Sequence, residues 1–128
     1  MHLTPDLLRW LQDLPSRRAL HALHEIGALL RRHREPGWDE RLLEASGRLD
    51  TAEKARQPDK AAEVMHHILG FFAGPDTLRQ VVLSNSLGHQ IKPEEEEAVN
   101  ARLGALTMQL LLSALQTIAR VEWRRLRK

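Results

Sequence analysis

Apolar residues recur along this chain at intervals of three and four, and no stretch shows the two-residue alternation of a half-buried strand. The pattern predicts helices throughout. Thr4-Pro5-Asp6 reads as a helix start, with a hydroxyl cap, proline at the first helical position and an acid in the first turn. Leu7, Leu8, Leu11 and Leu14 form its face, and Pro15 is expected to end it. Ser16 then caps a second helix carrying Leu20, Leu23, Gly27 and Leu30, which runs out near Arg34 because Pro36 disfavours helical geometry at Glu35. A third begins around Gly37, where Trp38, Leu42, Ala45 and Leu49 make one stripe. The polar stretch from Asp50 to Gln57 reads as loose.

Pro58-Asp59 opens a fourth helix with Ala61, Val64, Met65, Ile68, Leu69 and Phe72 on one side. Phe71 falls about 90° from that face, which suits it to a neighbouring element that Phe72 does not reach. Gly74 can close this helix and Pro75 can open a fifth, with Leu78, Val81 and Val82 turned inward. Ser84 to His89 is a loop by composition. Pro93 followed by Glu94 to Glu97 starts the last helix, since carboxylates there oppose the positive end of the helix dipole. It extends to about Arg125 and is apolar on nearly every side from Leu103 to Leu115. The expectation is an all-α single domain over residues 1–128, a bundle of about five to six helices. Its long C-terminal helix lies at the centre or along a homodimer seam.

Composition narrows the function more than it names it. The 128 residues include no cysteine, which removes disulfides, thiol nucleophiles and thiolate metal sites together. No basic start precedes an apolar run at the N-terminus, and Gln109, Ser113 and Gln116 interrupt the most apolar stretch. A cytoplasmic protein with no membrane span is expected. Arginine supplies 15 of the 19 basic residues, yet the net charge is only +2, so basicity alone makes a weak case for nucleic acid.

Candidate chemistry is sparse. His21, His24 and Glu25 lie at ligand-like spacing but match no established metal motif, and adjacent His66 and His67 diverge by a helical step. Glu94 to Glu97 point around the helix, not at one atom. Ser84, Ser86 and His89 share a loop without a third group to orient the imidazole. Two basic clusters remain, Arg31 to Arg34 and Arg120 to Lys128, with Trp123 in the second, where it either stacks on a base or packs in the core. The expectation is therefore no enzyme, no cofactor and no bound metal.

The stretch FFAGPDTLRQVVLSNSLGHQI resembles a family of small bacterial helical proteins known as a domain of unknown function. Phe72, Gly74, Thr77, Leu78, Val81, Val82 and Leu83 follow its pattern in order. Trp38 and the run Asn100-Ala101-Arg102-Leu103 match its flanking helices, so the likeness spans roughly residues 25 to 120. Arg79-Gln80 replaces the family's polar Asn-Asp pair. The resemblance implies a small helical bacterial protein, with some members linked to toxins. The leading functional expectation is a protein-binding protein, most concretely an immunity protein that neutralises a cognate toxin by direct contact. Arg79, Gln80, Asn85, Ser86 and His89 are its expected partner surface. The alternatives are a structural or regulatory homodimer and, more weakly, a nucleic-acid-binding protein.

Overall fold

A computed structural model describes the backbone of residues 5–127 and the side chains of residues 15–127. Four α-helices account for most of it: α1 (Pro5–Arg32), α2 (Asp39–Lys54), α3 (Pro58–Leu69) and α4 (Glu96–Leu126). No strand occurs among the described residues. Each helix packs on its neighbours in a ring, α1 on α2 and α4, and α3 on α2 and α4. Gln109 Nε2 donates to the Arg18 carbonyl at 3.2 Å, while Arg102 approaches Glu25 at 4.0 Å. The register therefore falls on α4 as it rises on α1, and the two long helices are antiparallel.

The all-α bundle is as expected, but the described residues form four α-helices, not five or six. Two expected breaks account for the difference. Pro15 does not end a helix; it lies inside α1, which runs on for a total of 28 residues. An internal proline removes one backbone hydrogen bond and costs about 3 kcal/mol. Here the ring is buried, and the stripe beyond it (Ala19, Ala22, Leu23, Ile26 and Leu30) is almost wholly removed from water. Burying such side chains yields about 1.5–3 kcal/mol for each large one, enough to carry the helix through. The Thr4 cap lies outside the described residues, as do the side chains of Leu7, Leu8, Leu11 and Leu14.

The second missing break is the helix expected from Pro75. Residues Ala73 to Lys92 form only two short 3-10 turns, at Leu78–Gln80 and Asn85–Leu87, with a third just beyond at Pro93–Glu95. Leu78 is fully buried while Val82 is 51% exposed, although i, i+4 spacing on a helix would place them on one face. Val81 (ψ 123°) and Ser84 (φ −149°, ψ 138°) are extended instead. The stretch read as loose is ordered helix up to Lys54, with Ala52 buried.

The α2 stripe and the placement of Phe71 match expectation, whereas Gly74 does not close α3, which ends at Leu69 before a 3-10 turn at Gly70–Phe72. Trp38, Leu42, Ala45 and Leu49 form one buried stripe on α2. The Phe71 ring is 2% exposed and meets Trp38 edge to face at 5.5 Å, with His67 on its other side at 5.4 Å. The Arg41 guanidinium covers the indole at 3.8 Å. Phe72 is only half-buried. Gly74, at φ +91°, takes the left-handed corner that any side chain would strain.

On α4, Leu103, Leu106, Leu110, Ala114 and Val121 face the core. Met108, Leu112 and Leu115 lie outside, 42–51% exposed, and Trp123 is 61% exposed instead of packed in the core. The span Pro93–Leu126 is long and apolar enough to cross a membrane, with a mean hydropathy of 1.3 over its most apolar window, and a third of that window is buried in the bundle.

Candidate protein-binding loop

Between α3 and α4 the chain is pinned to the core by three apolar side chains, Leu78, Leu83 and Ile91, none more than 6% exposed. Everything between these anchors must satisfy its backbone polar groups without a helix or a sheet. Side chains do it. Thr77 and Gln80 form a reciprocal capping box, with the Thr77 N–H donating to Gln80 Oε1 at 3.1 Å. The Leu83 N–H donates to Asn100 Oδ1 and the Leu83 carbonyl accepts from Asn100 Nδ2, both at 2.8 Å.

The arc from Ser84 to Gln90 is closed more tightly still. The Ser84 hydroxyl accepts from the Ser86 N–H at 3.3 Å and lies 2.8 Å from the Ser86 hydroxyl. The Asn85 N–H donates to Glu96 Oε1 at 2.7 Å, and Asn85 Nδ2 donates to the Ile91 carbonyl at 3.1 Å. Glu96 thus does more than oppose the helix dipole. Gly88, at φ +88°, turns the chain back so that the His89 N–H reaches the Ser84 carbonyl at 3.2 Å. On the far side, the Gln90 N–H donates to the His33 carbonyl at 3.0 Å. His33 Nδ1 in turn donates to the Gln90 carbonyl at 2.9 Å.

His89 is the keystone of the arc and is 9% exposed. Its Nδ1 lies 3.0 Å from the Ser84 N–H, which can only donate, so Nδ1 is the acceptor. The proton of the neutral ring is therefore on Nε2, which donates to Glu35 just beyond α1. Both ring nitrogens are engaged, and in this arrangement neither can draw a proton from the Ser84 or Ser86 hydroxyl.

The five residues expected to form a partner surface are thus brought together with different duties. His89 is inside. Gln80, Asn85 and Ser86 are exposed but hold the loop's own backbone. Arg79 alone of the five is exposed without a partner among the described residues. The same segment carries two exposed apolar residues that sequence reading did not select, Val82 at 51% and Leu87 at 66%. Nothing in local spacing marks them, because their exposure depends on the extended backbone. Asn100 and Glu35 were missed for a related reason: their partners are 17 and 54 residues away.

Elsewhere the expected chemistry disperses. His24 Nε2 lies 2.6 Å from Ser46 Oγ, joining α1 to α2, and no third group completes a relay. His67 packs on Phe71. Among the described residues no three of His, Asp and Glu are grouped closely enough to hold a metal ion. No protein-family model, no curated protein and no solved structure matches the chain, so its architecture and loop chemistry are described from its own residues.

Proposed function

We propose that this chain is a non-enzymatic protein-binding protein and that the Ser84–Gln90 arc, with Arg79 and Val82 at its foot, is its recognition surface. The supporting observation is the division of labour in the loop. Polar side chains tie the backbone into one shape, while Val82 and Leu87 are left in water. A flexible loop loses affinity when it is ordered by a partner; a loop already ordered does not incur that cost. Apolar side chains and an unpaired arginine on one segment suit a protein surface, where arginine and desolvated apolar contacts dominate binding energy.

The most concrete form of this reading is a bacterial immunity protein, cytoplasmic, that covers the working surface of a cognate toxin. The resemblance through residues 25 to 120 is what favours it over other binding roles. The test is co-expression with a toxin domain encoded beside it. Growth should be restored by the unaltered chain and lost with Leu87→Asp and Arg79→Glu, while helical content stays the same. Full rescue by both variants would remove the loop from the account.

A second reading has its own support, a homodimer seated on α4. Met108, Leu112 and Leu115 follow i, i+4, i+7 spacing and form an exposed apolar stripe opposite the core-facing side.

A further inference from the structure

At the other end of α4, about 30 Å along the helix from the loop, lies a cleft of about 720 Å³ between the α2–α3 corner, α1 and the last turns of α4. Five cations line it (Arg17, Lys54, Arg56, Arg120 and Arg124) against two carboxylates, Asp50 and Glu53. That excess is larger than the +2 carried by the whole chain. Lys54 is held by Asp50 at 2.9 Å, and Arg120 and Glu53 are each already engaged. Arg17, Arg56 and Arg124 have no carboxylate partner among the described residues. Like charges gathered in a concave site repel one another and concentrate a field that favours an anion.

The rest of the lining bears on the kind of anion. Ser16 lines the cleft, is 7% exposed, and its hydroxyl has no hydrogen-bond partner among the described residues. No described side-chain polar atom shut off from water lacks a partner, so this hydroxyl is open to solvent and free to donate. Gln57 and Pro58 line it too, but proline has no N–H and the Gln57 and Ala61 N–H groups already donate to the Ala52 and Gln57 carbonyls, so the start of α3 offers the cleft no free backbone donor. Asp59, the next carboxylate, is drawn to Arg125 at 2.9 Å. Guanidinium forks and a hydroxyl donor together match the several acceptor oxygens of a phosphate. The floor is apolar, formed by Leu20, Ala52, Ala61 and Val121, and the volume far exceeds a bare phosphate ion.

We propose that this cleft binds a small organic phosphomonoester, its phosphate held by Arg17, Arg56, Arg124 and Ser16, and its organic part on the apolar floor. The site is separate from the recognition loop and stands or falls independently of it.

Isothermal titration of the full chain with AMP, ribose 5-phosphate and inorganic phosphate, at about 50 mM salt, tests the assignment. Both esters should bind with dissociation constants under about 1 mM, and inorganic phosphate more weakly. Binding of AMP alone would assign a nucleotide, and binding of both esters the wider class. Arg56 adopts φ +53°, a backbone conformation that glycine takes freely, so Arg56→Gly removes the guanidinium without straining the fold. Arg56→Gly and Arg124→Gln should each weaken ester binding by about five- to tenfold, in line with the loss of one charge-assisted contact, with the melting temperature unchanged. Absence of binding by both esters up to about 5 mM, or equal binding by both variants, would overturn the proposal.

Discussion

Asn100 holds Leu83 as one strand residue holds another: its side-chain amide accepts the Leu83 N–H and donates to the Leu83 carbonyl, both at 2.8 Å. Its Nδ2 also reaches the Glu96 carbonyl at 2.8 Å. One side chain on α4 thus fixes where the loop leaves the core. Leu83 is fully buried, so its peptide groups have no water to turn to. Asn100→Ala should cost about 2–4 kcal/mol, because it leaves a donor and an acceptor unpaired. Asn100→Asp keeps the acceptor and loses the donor, and should fall between the two. Urea denaturation of the three proteins measures the order.

The adjacent phenylalanines should respond very differently. Phe71 is enclosed by Trp38 and His67, whereas Phe72 is half-buried. Truncation of a buried ring costs about 3–5 kcal/mol, so Phe71→Ala should come close to unfolding the domain. Phe72→Ala should cost about 1 kcal/mol, in proportion to the smaller area it removes from the core. Thermal melts followed by circular dichroism would separate them.

Two glycines should move stability in opposite directions. Gly88 sits at φ +88°, where alanine is strained by about 1–2 kcal/mol, so Gly88→Ala should loosen the arc and destabilise the protein. Gly47 lies within α2, and a methyl group there would meet nothing within 4 Å. Gly47→Ala should therefore stabilise by about 0.5–1 kcal/mol.

The α4 stripe makes a prediction about assembly. If the chain pairs through Met108, Leu112 and Leu115, Leu112→Glu should convert the dimer to a monomer in light scattering while the helix content stays constant. A monomer at all concentrations before substitution would discard the homodimer and leave the loop reading untouched.

What could be read from sequence divides along a physical line. The start of α3 was legible because proline at a first helical position acts within one turn, Pro93 likewise opens the 3-10 turn that leads into α4, and the α2 stripe was legible because periodicity needs only the local chain. Pro15 misled because the same local rule was outweighed by packing of residues far along the helix. The segment after Pro75 misled because Leu78, Val81 and Val82 satisfy helical spacing, while Leu83, held by Asn100, favours an extended path. For the loop, composition marked Ser84 to His89 as irregular, which the structure shows, but not which of their side chains the backbone would engage. Polar groups that look available in a list are consumed by the backbone once the chain closes on itself.

His33, Glu35 and Asn100 fasten the arc to positions between 17 and 57 residues distant. Contacts that close such long stretches of chain form only after the helices have docked. The arc should accordingly be the last part of the molecule to form during folding and the first to open when the bundle loosens. A partner that grips it would engage only finished molecules, and half-made or damaged copies would pass unbound.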